Sequence, residues 1–402
     1  MIHKFIKTKS RLATIMVGFN AGSKNEKKFG YNLGISHMLE HSFFKGTKKR
    51  SWEMISDDIS FLGGHTNAYT SYDKVAYYIT VPVENIDSAT EILSDMILNL
   101  DVKEEDFVKE RSVVMEEMLS SDDDIGSFIW SKTRDIFFDN YLKDPIIGTE
   151  ETINKFTLDE VYKYKKQFCN VDEAIIAISG NMKKKDAMSV MEKYFGKPNG
   201  KIKRYASKKS SHPESQIIEI EKPGIEHCYV NLCIPAKIET EKDSIIADVL
   251  NAYLGSGMDS VLFKEVREKN GLVYSISSSS SSWGSDGSIQ SIFFSTREEN
   301  VEKACSIIKE QVQKLKEELI DEKALQRIKN KIKTGFYSFL ESSSSLCSYE
   351  IERVIYKEMT IKKHLEIIEK CTVEDIREAA NKIFTEESNI MVVCKGENNV
   401  ED

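Results

Sequence analysis

His37-Met38-Leu39-Glu40-His41 is the stretch of this sequence whose residue types and spacing most directly suggest chemistry. On a helix turning ~100° per residue, His37, Glu40 and His41 share one face, while Ile35, Met38, Leu39 and Phe43 take the other. Two imidazoles one turn apart can reach a single Zn²⁺ at roughly 2.0–2.1 Å. The carboxylate between them is then placed to take a proton from water that the metal has acidified toward a pKa of about 7. The order inverts the H-E-x-x-H arrangement with the same parts. A polar helix face that merely holds two histidines is the bland alternative. With only 7 histidines in 402 residues, that coincidence is uncommon.

A catalytic zinc site takes a third protein ligand. A helix predicted over 104–120 offers Glu110 and Glu117, seven residues apart and so on nearly one face. Phe107, Val108, Val114, Met115 and Met118 can bury the rest of that helix. Glutamates on helices are usually solvated, and periodicity does not choose between these two.

The elements that must position these groups alternate between helix and strand. A strand is predicted over 13–19, a helix over 34–44 stopped by Gly46, and a second helix capped by Ser51 and closed by Gly63-Gly64. A hairpin over 65–71 and 75–81 follows, then helices over 88–100, 104–120, 127–138 and 157–168. An apolar strand over 174–179 and a helix to about 195 complete the first half. The polar stretch 196–214 is the best linker, dividing a domain over 1–200 from one over 215–402.

The plan then restarts. Strands are predicted over 216–220 and 228–234, a helix over 244–254 and a serine-rich strand region over 273–295. Two long helical stretches and a last strand over 389–394 follow. The reading is α+β, two repeats of one plan, each a largely antiparallel sheet with helices packed on it.

Composition narrows the function classes. Apolar residues at 40% and charged residues at 30% describe a soluble globular chain long enough for two cores. A net charge of -9 argues against nucleic acid and suits a basic or extended peptide. The seven scattered cysteines form no C-x-x-C pair, which suits a reducing, cytoplasmic setting. Neither a signal peptide nor a membrane span is predicted.

The chain resembles the pitrilysin/insulinase family, in particular short bacterial members of its mitochondrial processing peptidase subfamily. The resemblance is carried by Ala21-Gly22-Ser23, by Gly34-Ile35-Ser36 leading into the His37–His41 motif, and by Phe44-Lys45-Gly46-Thr47. It continues through Asn67-Ala68-Tyr69-Thr70, Glu110-Arg111-Ser112-Val113-Val114-Met115-Glu116-Glu117, the stretch from Leu254-Gly255-Ser256-Gly257-Met258 to Arg267, and Gly271-Leu272-Val273-Tyr274. It implies a zinc metalloendopeptidase with one Zn²⁺ per chain, held by His37, His41 and Glu117, with Glu40 as general base. Glu110 would orient a liganding histidine or the water network. Arg267 and Tyr274 would contact the substrate backbone or the oxyanion, and Asn67 and Ala68 would lie on an edge strand that pairs with an extended peptide. Each chain would form one arm of a clamshell, and two chains, identical or related, would enclose a chamber admitting unfolded peptides or leader segments. A non-catalytic scaffold or peptide-binding subunit of the same fold is the alternative.

Two departures stand out. Residues 1–10 leave little room for the additional first strand such proteins carry, so a shortened sheet edge is expected. Ser36 replaces a small apolar residue. His65, His227-Cys228, the serine run 275–282 and Asp122-Asp123-Asp124 read as packing or solvated positions.

Overall fold

In the computed structural model, which describes residues 1–206, 208–385 and 389–396, the strands predicted before the linker gather in one sheet and those after it in a second. The first sheet contains β1 (Ile2–Lys7), β2 (Leu12–Phe19), β3 (His65–Thr70), β4 (Val75–Pro82) and β5 (Ile175–Gly180) in the order β1-β5-β2-β4-β3. β1 pairs parallel with β5 and every other neighbour is antiparallel. β2 and β5 are apolar almost throughout because both of their faces are covered. Ile15, Val17, Ile176 and Ile178 point into the main core, which holds Met38 and Leu39 of α1 (Ile35–Ser42) and the buried side chains of α3 (Ile86–Leu98). Between those helices runs α2 (Trp52–Phe61), whose N-cap Ser51 accepts from the amide of Met54. Met16, Ala76, Ile175 and Ala177 point the other way, against Cys347, Ile351 and Ile355.

Those last three side chains lie on the helix Ser343–Tyr356, far along the chain. It packs close on β2: a Cβ added to Gly18 would stand 2.7 Å from Cγ2 of Ile351. The Ser343 and Thr80 hydroxyls each lie 2.7 Å from that of Thr14. The first compact unit is therefore discontinuous, made of Met1–Asp124, Asp144–Ala206 and Tyr337–Glu358. It includes α4 (Glu104–Asp123), of which only Phe107, Glu110 and Val114 are buried.

The second unit takes Ile125–Lys143 and, of the described residues, 208–336, 359–385 and 389–396. Its sheet comprises β6 (Gln216–Glu221), β7 (Cys228–Pro235), β8 (Val273–Ser282), β9 (Ser288–Thr296) and β10 (Ile390–Lys395), in the order β6-β10-β7-β9-β8. Again the outer pair β6–β10 is parallel and the rest antiparallel. The order matches the first sheet position for position, so the repeat read from the sequence is a structural repeat. Within this unit α5 (Ile125–Phe137) packs on β7 and β10, and Thr133 accepts a 3.1 Å hydrogen bond from the Asn231 amide.

Several expectations change. Residues 2–7 do form the first edge strand, paired along six positions with β5, so the sheet is not shortened. The serine-rich region is two strands turned at Gly284–Asp286. Among the described residues five α-helices, not two long stretches, separate β9 from β10. Contiguous halves give way to units that each include one helical segment from the other half of the chain, which local periodicity cannot reveal. Among the described residues no helix is long and apolar enough to cross a membrane. Ile351→Ala removes a fully buried side chain and is expected to destabilise the first unit by about 2–5 kcal/mol, read as a lower urea midpoint.

Candidate metal centre

α1 begins at Gly34, whose backbone is left-handed (φ 90°) and approaches so closely that a Cβ would lie 2.3 Å from the carbonyl oxygen of Ile147. A glycine cannot cap with its side chain, and Glu26 does so from outside the helix. Its carboxylate accepts from the amides of Gly34 (2.8 Å) and Ser36 (2.9 Å) and from the Ser36 hydroxyl. Glu26 is fully buried, and the positive end of the helix offsets part of the cost of burying its charge. Ser36 is thus a partner of the cap. Ile35, Met38 and Leu39 are completely buried, which turns His37, Glu40 and His41 toward α4 and β3.

Phe107 and Val114 seat α4 in the core and aim Glu110 and Glu117 back at α1. Ligand atoms of His37, His41 and Glu117 all lie within 4.8 Å of one another. Nε2 of His37 is 3.7 Å from one Glu117 oxygen, and Nε2 of His41 is 3.3 Å from the other. Glu110 takes a different part: its Oε1 accepts from Nδ1–H of His41 at 2.8 Å, and its second oxygen pairs with Lys45. In the neutral ring that bond keeps the proton on Nδ1 and reserves Nε2 for a metal, as a carboxylate behind a metal-binding imidazole does. Glu116 is exposed and outside the cluster. Two imidazoles and a carboxylate form the donor set of a catalytic zinc centre with an open position, so these residues fit that metal. Among the described residues it is the only such group of three.

Glu40 is 9% exposed, and one oxygen accepts from the Thr70 hydroxyl at the end of β3. β3 is an edge strand carrying Asn67 and Ala68. Asn67 is exposed and its side chain accepts from the amide of Ala68 (2.8 Å). In the second unit, two local irregularities bring Arg267 and Tyr274 together. Phe263–Glu268 is a π-helical turn, and the β8–β9 register shifts between Val273 and Ser275, making Tyr274 a bulge residue. The guanidinium of Arg267 lies 5.3 Å from the Tyr274 ring centre and 4.7 Å from that of Phe263, and Tyr274 is 76% exposed.

Residues 5–150 match the family model described as insulinase (peptidase family M16), and residues 155–332 match the one described as peptidase M16 inactive domain. A protein of Bacillus subtilis named as the uncharacterized zinc protease YmxG is 30% identical over 395 residues, covering 96% of this chain and 94% of that protein. The chain belongs to the M16 peptidase family. An uncharacterized zinc protease of Rickettsia bellii is 29% identical over 91% of the chain and 88% of its own length. The fold is also that of a crystallised protease from Helicobacter pylori, with a TM-score of 0.87 at 24% identity over 97% of this chain and 96% of that one. In this M16 chain the donor cluster lies entirely within the region matched by the insulinase model.

Electrostatics separate the two histidines. Burial and the neighbouring His41 push His37 down to about 4, so it is neutral at ordinary pH. Burial also opposes the charge on His41, but hydrogen bonds to Glu110 and Glu117 prevail and raise it to about 9. Burial raises Glu40 against the hydrogen bond from Thr70, which makes it a stronger base than an exposed carboxylate. Glu117 is lowered by its bond to His41, and Glu110 by His41 and Lys45 despite its burial.

Sequence reasoning did not find Glu26 or the part played by Lys45. Glu26 lies eight residues before Gly34, and no periodicity links a loop glutamate to a helix end. The invitation for an outside cap was Gly34 itself, a helix start without a capping side chain. His65 and His227 are exposed and join no metal-binding group among the described residues.

Two expectations follow from this geometry. Glu110→Ala should weaken Zn²⁺ binding by about 10–100-fold, measured by competition with a chromophoric chelator. In metal-free protein His41 holds a proton below about pH 9, and a metal must displace it. Zn²⁺ uptake at pH 7 should therefore release about one proton, measured by calorimetry in buffers of different ionisation heat, and affinity should climb with pH toward 9. The same shift, upward from 6.5, means that the His41 pairing stabilises the metal-free fold fully below 6.5 and is lost as pH rises through 9.

Proposed function

We propose that this chain is a zinc-dependent endopeptidase acting on unfolded or extended peptides. The observation that carries the reading is the convergence of His37, His41 and Glu117, with the buried carboxylate of Glu40 on the same helix face and the edge strand β3 beside it. When bound, the zinc ion supplies Lewis-acid polarisation of a carbonyl and acidifies water toward a pKa of about 7. His37, His41 and Glu117 would hold it, and Glu110 fixes the His41 ring through Nδ1, which would leave Nε2 to ligate. Glu40 accepts the proton of the attacking water and returns it to the departing amine nitrogen. Thr70 fixes the orientation of that carboxylate.

An extended substrate adds to β3 through backbone hydrogen bonds, which confers affinity with little sequence preference. Arg267 and Tyr274 supply a guanidinium fork and a phenolic donor for the substrate backbone or the developing oxyanion. Both elements reside in one chain, so a homodimer can assemble two complete sites, and a related second chain would serve equally. The seven free cysteines suit a reducing compartment such as the cytoplasm.

The test is cleavage of a mixed library of unfolded peptides by the purified chain, with and without chelator and beside Glu40→Gln, with bound zinc quantified throughout. Cleavage is expected to be chelator-sensitive and to fall by about 10²–10⁴-fold in Glu40→Gln with zinc retained. Stoichiometric zinc without cleavage of any peptide would favour a binding subunit, and no zinc in folded protein would sink the metal site.

A further inference from the structure

The two units share one sheet order but differ in how their helices cover it. In the first unit α3 packs directly on β2 and β4, and the helix Lys184–Phe195 lies on β1 and α3. By chain position the counterpart of α3 in the second unit is Val301–Glu317, which follows β9, and among the described residues no helix follows β10 in the place that Lys184–Phe195 takes after β5. Val301–Glu317 packs on Val373–Ile383, the helix before β10, which packs also on Glu241–Gly255. A cleft of about 610 Å³ opens between Val301–Glu317 and the sheet. Its walls are mostly apolar, with Leu232 and Ile292 from the sheet facing Ile308 and Val312 from the helix, while Ile217 on β6 is left 67% exposed. The volume is that of a small-molecule site.

The polar lining is equally selective. Among the described residues Lys309 and Lys316 are the only charged ones that line the cleft, in a chain whose net charge is -9. Among the described residues neither forms an ion pair. Both stand on the helix whose apolar face forms one wall, so a cationic rim borders an apolar interior. This is the complement of a molecule with an anionic head and a hydrocarbon tail: the tail gains by leaving water, and the head gains charge-assisted hydrogen bonds.

We propose that this cleft is a binding site for a single-chain anionic amphiphile of the fatty-carboxylate class. The site belongs to the second unit alone and does not rest on the peptidase reading.

The test is calorimetric titration of the full chain with dodecanoate below its micelle concentration, beside the neutral dodecanol. One dodecanoate per chain is expected to bind saturably, and dodecanol about 10-fold or more weakly, the loss of one charge-assisted pairing. Ile292→Trp, which fills the cleft, should abolish binding. The double variant Lys309→Glu/Lys316→Glu changes only the rim and should reduce dodecanoate to the level of dodecanol with the circular dichroism unchanged. Glu40→Gln should bind dodecanoate as the unaltered chain does, which keeps the outcome separate from that of the cleavage test. The proposal is overturned by absence of saturable binding, by equal binding of acid and alcohol, or by binding that survives both cleft variants. A dimer in sedimentation that dissociates in Ile217→Asp would also overturn it, assigning the face to a second copy of the chain.

Discussion

The donor set exists only because α1 is held in register with α4, and that register begins with a buried charge. Glu26 satisfies amides at the start of α1 that no side chain within the helix can reach, because Gly34 has none. Burial drives its carboxyl up to about 7, and the bonds from Gly34 and Ser36 pull against that rise. A carboxylate without those donors would be costly at complete burial. With α1 fixed at its N-terminus and its apolar face sealed by Ile35, Met38 and Leu39, the imidazoles have little freedom to point anywhere but toward α4.

From that anchor a chain of polar contacts extends outward. His41 bonds Glu110, Glu110 pairs with Lys45, and Glu40 accepts from Thr70 on the edge strand. These contacts join α1, α4, β3 and the loop that carries Lys45, so the cluster is defined by four segments and not by one motif. The opposite shifts of His37 and His41 come from the same arrangement. His41 has two carboxylates as partners, whereas His37 is buried against the charge of its neighbour.

The internal repeat shows how one topology carries different chemistry. Both sheets have the same strand order with the parallel pair at the same edge. Between its second and third strands the first unit places a helix with two imidazoles, and the second unit places a π-helical turn that presents Arg267. The helices after the fourth strand also diverge. In the first unit α3 packs on β2 and β4, whereas in the second unit an apolar cleft lies between Val301–Glu317 and the sheet.

Much of this was legible in the sequence. The His37–His41 face, the helix carrying Glu110 and Glu117, most strands and the repeat all follow from periodicity, because side-chain direction is set locally on a helix or strand. The resemblance of its motifs to the pitrilysin/insulinase family pointed to the family before any coordinates. The tertiary structure decided what depends on partners distant in sequence. Glu117 and not Glu110 meets both imidazoles, since the tilt of one helix against another is invisible to periodicity. β1 forms because β5, more than 160 residues on, offers it an edge. The helix Ser343–Tyr356 joins the first unit because Gly18 leaves room for Ile351, and Glu26 caps a helix it does not belong to. Sequence fixes the local direction of each group; only packing fixes which groups meet.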